Sequence, residues 1–310
     1  MKILLTGATG FLGSHVVDRL LERQHDVAVL LRPHSDTWRI RAQLPQLTEI
    51  RGELARIAEV RQPIADFTPE VLVHLAWGGV ENRFRNDTQL QLQNVNETAA
   101  LVHLATQVGV QHVVGLGSQA EYGPKSATLT VDEPTQPTTL YGATKLAACH
   151  LSRVQCELAG VAWSWIRLFS CYGPRDNPSW LIPYLALTLH KGERPQLTAA
   201  EQQWDYVYVR DAADAIVRVA ELRTATGLFN LGSGEAPTLR HIMETVRDQI
   251  DPQLPLGFGE VPYRPDQVMY LRADISRLEK LAGWQAQTPL LEGILQTVAW
   301  YRAHPDGRDD

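Results

Sequence analysis

Tyr141 and Lys145 stand four residues apart at the start of a helix-patterned stretch, Leu140–Glu157. On an α-helix that spacing puts the phenol and the ammonium on one face, about one turn apart. A lysine charge beside a phenol favours the phenolate, so the pair is expected to hold the tyrosine below its ordinary pKa of about 10. A phenol tuned in this way can trade a proton with a sugar hydroxyl or carbonyl. An aromatic core residue followed by a solvated lysine gives the same letters, so the pair takes its meaning from the elements that position it.

Gly7-Ala8-Thr9-Gly10-Phe11-Leu12-Gly13 directly follows an apolar run, Ile3–Leu5, and opens a helix pattern, Leu12–Glu22. Glycines there allow a tight turn and a close approach of backbone to a pyrophosphate. The helix N-terminus adds free N–H groups and a partial positive charge. The order strand, glycine turn, helix at the head of a βαβ pattern points to a dinucleotide. The second strand, Val27–Leu31, runs out into Arg32-Pro33-His34-Ser35 with no carboxylate at its tip. An acidic residue there would accept the ribose 2′-hydroxyl, whereas Arg32 can pair with a 2′-phosphate. NADP(H) is therefore favoured over NAD(H).

Short apolar runs alternate with helical stretches through Glu49–Arg51, Val71–Leu75, Leu90–Val108, His112–Leu116, Leu140–Glu157 and Ala162–Leu168. This alternation predicts an α/β fold of the Rossmann type, a doubly wound parallel sheet with helices on both faces. Past Tyr172 the pattern breaks up around Pro174, Pro178, Pro183 and Pro195, then resumes as a strand and helix over Tyr206–Ala220 and a strand at Leu228–Leu231. The expected organisation is a dinucleotide-binding domain over 1–172 with a return segment at 205–232. A smaller C-terminal α/β substrate lobe is built from 173–204 and 233–310.

The chain has 310 residues and a net charge of −6, with no basic run interleaved with aromatics, which argues against a nucleic-acid partner. Its cysteines, Cys149, Cys156 and Cys171, form no Cys-x-x-Cys pair, so neither a disulfide framework nor a zinc site is expected, nor any other metal. Met1–Leu5 is too short for a signal-peptide core and no apolar run reaches the length of a membrane span. No membrane partner and a cytoplasmic location are the expectations.

Taken together these motifs resemble the extended short-chain dehydrogenase/reductases, the group that holds nucleotide-sugar epimerases, 4,6-dehydratases and 4-ketoreductases. The resemblance runs over nearly the whole chain. It rests on the Gly7/Gly10/Gly13 turn, Gly52-Glu53-Leu54, His74-Leu75-Ala76, Gly117-Ser118-Gln119-Ala120-Glu121-Tyr122-Gly123 and Tyr141-Gly142-Ala143-Thr144-Lys145. It continues through Arg167-Leu168-Phe169, Tyr172-Gly173-Pro174, the Trp204–Asp211 run and Trp300-Tyr301. It implies a catalytic set of Ser118, Tyr141 and Lys145, with Ser118 holding the substrate oxygen, Tyr141 giving it a proton and Lys145 gripping the nicotinamide ribose. The cofactor would meet Gly7, Thr9, Gly10, Phe11, Leu12, Gly13, Arg32, Glu53, Leu54, Leu75, Ala76, Tyr141, Lys145 and Leu168. The substrate would meet Ser118, Gln119, Ser170, Trp204 and Arg264. Asn94 falls where the family has an asparagine near the site, though a solvated helix asparagine reads the same way.

Departures from the family pattern bear on the reaction. Dehydratases that resemble this chain carry an Asp-Glu pair after the catalytic Ser/Thr, to expel a hydroxyl; here Gln119 and Ala120 stand instead. Glu121 is one residue further on, and in an extended segment that shift turns its side chain to the other side. Ser170 replaces a usual asparagine, and Trp204 stands where an arginine commonly meets the nucleotide phosphates. Trp180 and Trp204 read either as stacking surfaces or as core residues. The preferred reading is an NADP(H)-dependent reductase of an NDP-4-keto-6-deoxyhexose. A nucleotide-sugar 4-epimerase with tightly held NAD is the runner-up, and a non-catalytic redox sensor on the same fold represents another class. The two long helices also imply a homodimer, with Val95, Ala99, Val102 and Ala105 recurring at helical spacing; a buried intramolecular face would give the same pattern.

Overall fold

The computed structural model describes residues 1–264 and 267–308. In chain order the first half comprises β1 (Lys2–Thr6), α1 (Phe11–Glu22), β2 (Asp26–Leu31), β3 (Thr48–Arg51), α2 (Arg61–Phe67), β4 (Val71–His74), α3 (Thr88–Gln107), β5 (His112–Ser118), α4 (Leu140–Ala159) and β6 (Ala162–Leu168). The second half adds β7 (Ser170–Tyr172), α5 (Leu181–His190), β8 (Gln203–Trp204), β9 (Tyr206–Tyr208), α6 (Val209–Glu221) and β10 (Gly227–Leu231). Then come α7 (Leu239–Asp248), β11 (Tyr270–Leu271), α8 (Ser276–Ala282) and α9 (Leu290–Ala303).

Seven parallel strands form the main sheet in the order β10-β6-β5-β4-β1-β2-β3. Its central strands are apolar on both faces because both faces are covered. Ile3 and Leu5 join one core with α1 and α6, while Leu4 between them joins the other with α3 and α4. The chain winds outward from β1 to β3, then restarts on the other side of β1 with β4, and that reversal opens a crevice at the carboxyl ends of the strands. In register, Thr6 lies beside His74 and Ser118 beside Leu168, all on that edge.

The smaller C-terminal region hangs on two short parallel pairs, β7 with β9 and β8 with β11. Asp205, fully buried between β8 and β9, ties them together. Its carboxylate accepts from the Ser233 N–H (2.6 Å) and hydroxyl (2.8 Å), the Gly234 N–H (3.2 Å) and the Ala273 N–H (3.0 Å). Burial pushes this carboxyl above the usual range, and the four donors pull it back.

The row expected to face a second copy faces inward. Val95, Val102 and Ala105 are buried within the chain, and the Ala99 carbonyl accepts a hydrogen bond from Gln155 of α4 (3.0 Å). The large apolar residues α3 and α4 leave in the open are Leu92, Leu140, Leu151, Val154 and Leu158, the last 85% exposed. No helix among the described residues is long and apolar enough to cross a membrane.

Candidate active site

The glycine turn meets the loop after β4 backbone to backbone. Gly7 has φ +79°, and a Cβ there would lie 2.7 Å from the Ala76 nitrogen, so only glycine fits. Gly13 is held by the same packing, since a Cβ on it would overlap the Gly7 carbonyl. Buried His74 fastens the end of β4, bonding Thr6 Oγ1 (2.7 Å) and Thr98 Oγ1 (3.0 Å). Burial and the Lys145 charge hold its pKa down to about 3, so it is a neutral strut.

Between these two turns lies a cleft of about 530 Å³. Of the residues predicted to hold a cofactor, Gly7, Thr9, Gly10, Arg32, Glu53, Leu54, Leu75 and Ala76 line it. Phe11, Leu12, Gly13 and Leu168 do not: Leu12 is in the core, Leu168 packs on it, and Phe11 stands edge-on to His15. Trp77, Gly78, Gln93 and Glu97, which the sequence did not single out, line it as well, together with Ser35 and Asn94. Asn94 is not solvated. Its side chain clamps Gly78, accepting from the N–H at 2.8 Å and donating to the carbonyl at 3.0 Å. Arg32 is exposed at the rim; its carbonyl accepts the Ser35 N–H (3.0 Å), while its guanidinium makes no hydrogen bond or ion pair among the described residues. Backbone crowding at Gly7, the N-terminus of α1 with no side-chain cap, and the cleft between the two turns fit a dinucleotide.

At the other end of the crevice Ser118, Tyr141 and Lys145 converge, each under a tenth exposed. Ser118 ends β5, and its hydroxyl caps the following turn, accepting from the Ala120 N–H (3.2 Å), within hydrogen-bonding reach of Tyr141. Thr139 caps α4 by accepting from the Gly142 N–H (3.1 Å). A Cβ on Gly142 would overlap the Ala120 carbonyl, so the serine turn and the tyrosine helix touch backbone to backbone.

The expected lowering of the Tyr141 pKa is corrected here. Burial raises the Tyr141 pKa above the ordinary phenol value; the Ser118 hydrogen bond and the Arg85 charge oppose it and Glu121 adds to it. The Lys145 ammonium donates to the Leu116 carbonyl (2.7 Å) and lies 3.8 Å from the Trp77 ring centroid, and burial lowers its own pKa to about 7 while Glu121 supports the charge.

Glu121 lies in a turn of 3₁₀ helix, Gln119–Glu121, and not in the extended segment expected from the sequence; its hydrogen-bond partners, rather than strand alternation, turn it inward. Fully buried, it accepts from Arg167 Nε (2.8 Å), Trp165 Nε1 (3.0 Å) and the Ser118 N–H (2.9 Å). The carboxylate is thus consumed in holding the serine turn. Tyr122 extends the network, packing on the Arg167 guanidinium and donating to Asn230 of β10 (2.7 Å).

The two departures at the substrate side meet each other. Trp204 Nε1 donates to Ser170 Oγ at 2.6 Å, and its half-buried ring packs against the cluster of Tyr122, Leu129, Phe169, Leu271 and Ala273. Of the two sequence readings of Trp204, the structure shows the packing against core residues. Arg264 is exposed and bonds neither of them, while Tyr263 beside it accepts the Glu201 N–H (3.0 Å); Pro265 and Asp266 of that motif lie outside the described residues. No metal-binding group of His, Cys, Asp or Glu occurs among the described residues. A second cleft, about 600 Å³, lies behind α1, but its charges are spent on one another, Arg175 with Asp18 and Arg19 with Asp214.

The profile of the NAD dependent epimerase/dehydratase family matches residues 3–232. The chain belongs to this family. It is thus an enzyme-family member of the extended short-chain dehydrogenase/reductase type. The chain is 30% identical to the UDP-glucose 4-epimerase of Mycolicibacterium smegmatis, covering 97% of this chain and 99% of that one. Among solved structures it is similar to Thermus thermophilus UDP-glucose 4-epimerase in complex with NAD (27% identity, TM-score 0.85, 97% and 99% covered). It also shares the fold of the dTDP-glucose 4,6-dehydratase of Bacillus anthracis (19% identity, TM-score 0.87, 99% and 98% covered).

Proposed function

We propose that this chain is an NADP(H)-dependent oxidoreductase that reduces the 4-keto group of an NDP-4-keto-6-deoxyhexose. Support for proton transfer to a substrate oxygen comes from Ser118 and Tyr141, each under a tenth exposed, with Tyr141 edge-on to Trp77, which lines the cleft. When bound, a nicotinamide dinucleotide supplies the hydride. Gly7, Gly10, Thr9, Leu75 and Ala76 would hold its phosphates and ribose, Glu53 and Leu54 its adenine end. Ser118 orients the substrate carbonyl by donating a hydrogen bond, and Tyr141 delivers a proton to the same oxygen. Lys145, held by the Leu116 carbonyl and the Trp77 ring, would bind the nicotinamide ribose.

Arg32 carries the choice of reduction. It lies at the cleft rim beside Ser35, with no carboxylate partner and none at the strand tip, a setting for a 2′-phosphate. A reductase has to exchange spent cofactor, and NADPH serves that role. Loss of water is disfavoured because Glu121, the carboxylate nearest Ser118 in sequence, is locked onto Arg167. A second reading, 4-epimerisation of a nucleotide sugar with retained NAD, is supported by the similarity to UDP-glucose 4-epimerases. A redox sensor has no need of the Ser118–Tyr141 pairing.

We place the nucleotide sugar between Gln119 and Ser170 of the dinucleotide-binding domain and Trp204 of the lobe of 173–204 and 233–310, with Arg264 at the rim. A homodimer would cover the exposed Leu92, Leu151, Val154 and Leu158. The test is NADPH carrying deuterium at its transferable position, given with a panel of NDP-4-keto-6-deoxyhexoses. One deuterium per product sugar and one NADPH consumed support reduction. Unlabelled product from an ordinary NDP-hexose, with no net loss of NADPH, would overturn it in favour of the epimerase.

A further inference from the structure

Trp77 lines the cleft of about 530 Å³ and also touches the residues where proton transfer is placed. Its ring centroid lies 3.8 Å from the Lys145 ammonium and 6.4 Å from the Tyr141 ring, which meets it edge-on. The indole is held in one orientation. Its Nε1 donates to Gln91 Oε1 (3.1 Å), and fully buried Gln91 commits its amide nitrogen to the Gly79 carbonyl (3.0 Å) and the Phe84 carbonyl (3.1 Å). The chain on either side is fixed as well, with Ala76 against the backbone of Gly7 and Gly78 clamped by Asn94.

Strand order gives the cleft a direction. Its lining starts after β3 and β2 with Glu53, Leu54, Arg32 and Ser35, crosses the glycine turn after β1, and reaches Trp77 and Gly78 after β4. The next strand beyond is β5, which carries Ser118. A dinucleotide whose adenine ribose lies at Arg32 therefore crosses the glycine turn and brings its nicotinamide riboside to Trp77, beside Lys145 and Tyr141.

We propose that Trp77 positions the nicotinamide half of the dinucleotide, its indole holding the Lys145 ammonium at the cleft and giving the riboside an aromatic wall to pack on. This rests on the cleft being the dinucleotide site of the proposed reaction. A wall that is already rigid loses no side-chain freedom when the riboside docks, so the contact counts toward affinity. With Nε1 engaged by Gln91, the indole has no proton to offer the substrate, and its part is placement.

The test is calorimetric titration of the native chain and of Trp77→Ala with whole dinucleotides and with their adenine halves, NADPH beside 2′,5′-ADP and NADH beside ADP. Trp77→Ala is expected to weaken the dinucleotide that the native chain prefers by about tenfold, while the matching adenine half binds both proteins within about twofold. Trp77→Phe, which keeps a ring and loses Nε1, should fall between. Equal weakening of dinucleotide and adenine half would mean that Trp77 only shapes the cleft, and unchanged affinity for both would mean that the riboside lies elsewhere; either result overturns the proposal. Should Trp77→Ala not fold, Trp77→Leu against Trp77→Phe gives the same comparison. A native chain that binds no dinucleotide overturns the cofactor reading and this proposal together. One that binds a dinucleotide but reduces no keto sugar overturns the reaction alone, and the Trp77 comparison still decides this proposal.

Discussion

Replacing Arg167 by methionine should be among the most damaging single changes in the molecule, although the residue lines no cleft. Its side chain is 3% exposed and Glu121 is fully buried, so the pair is screened by almost no water. The substitution keeps most of the aliphatic volume but leaves the Glu121 carboxylate with two donors, Trp165 Nε1 and the Ser118 N–H, and no countercharge. Breaking a buried pair from one side costs about 3–5 kcal/mol, a large fraction of the roughly 5–15 kcal/mol that stabilises a typical domain. The assay is urea denaturation followed by tryptophan fluorescence, comparing midpoints at equal slope. Glu121→Gln in the Arg167→Met background should recover more than about 1 kcal/mol, because a buried amide is cheaper than a buried unpaired carboxylate. A loss below about 1 kcal/mol for Arg167→Met, or a double variant no better than the single, would refute the view that this pair is dry and coupled.

Tyr141→Phe should lower kcat by roughly a hundred- to ten-thousand-fold with an unchanged circular dichroism spectrum; activity within a few-fold of wild type would remove Tyr141 as the acid. Arg32→Ala should weaken NADPH binding about ten- to a hundredfold and leave NADH alone, and equal titration curves for both cofactors in the native chain would count against the reductase. Lys145 has a folded pKa of about 7 against an ordinary 10.5. The unfolded chain therefore binds more protons between those values, native stability rises with pH through that window, and the penalty is fully present below pH 7. Lys145→Met should accordingly stabilise the fold by roughly 1–3 kcal/mol at pH 6, with the gain shrinking toward pH 10; a gain independent of pH would contradict this. Leu158→Glu together with Leu151→Glu should convert a dimer to monomer in sedimentation velocity without loss of fold, and an unchanged sedimentation coefficient would place the interface elsewhere.

The strands were legible because a parallel sheet covered on both faces writes itself as short continuous apolar runs, and Ala162–Leu168 appears in the structure with the same bounds. The glycine turn was legible for a similar reason: Gly7 has no alternative where its backbone meets Ala76. What sequence spacing could not supply was direction. Four residues on a helix place Lys145 beside Tyr141, but the Leu116 carbonyl and the Trp77 ring, distant in the chain, decide where its ammonium goes. Trp77 and Gln91 were invisible for the same cause, since they meet across a segment without periodicity. In α3 the row Val95, Val102, Ala105 had the right period and the wrong partner: a helical stripe records burial without saying what covers it.

Gly142 implies a separation between what this scaffold can vary and what it cannot. Because the turn carrying Ser118 and the helix carrying Tyr141 abut through main-chain atoms, the gap between the two hydroxyls is a ruler made of peptide, indifferent to most side-chain replacements nearby. The rim formed by Gln119, Ser170 and Trp204 has no such constraint, so substrate preference can drift there while the distance over which a proton moves stays constant. A methyl at position 142 would press on the Ala120 carbonyl, so Gly142→Ala is expected to push the turn that carries Ser118 and Gln119 away from the helix that carries Tyr141.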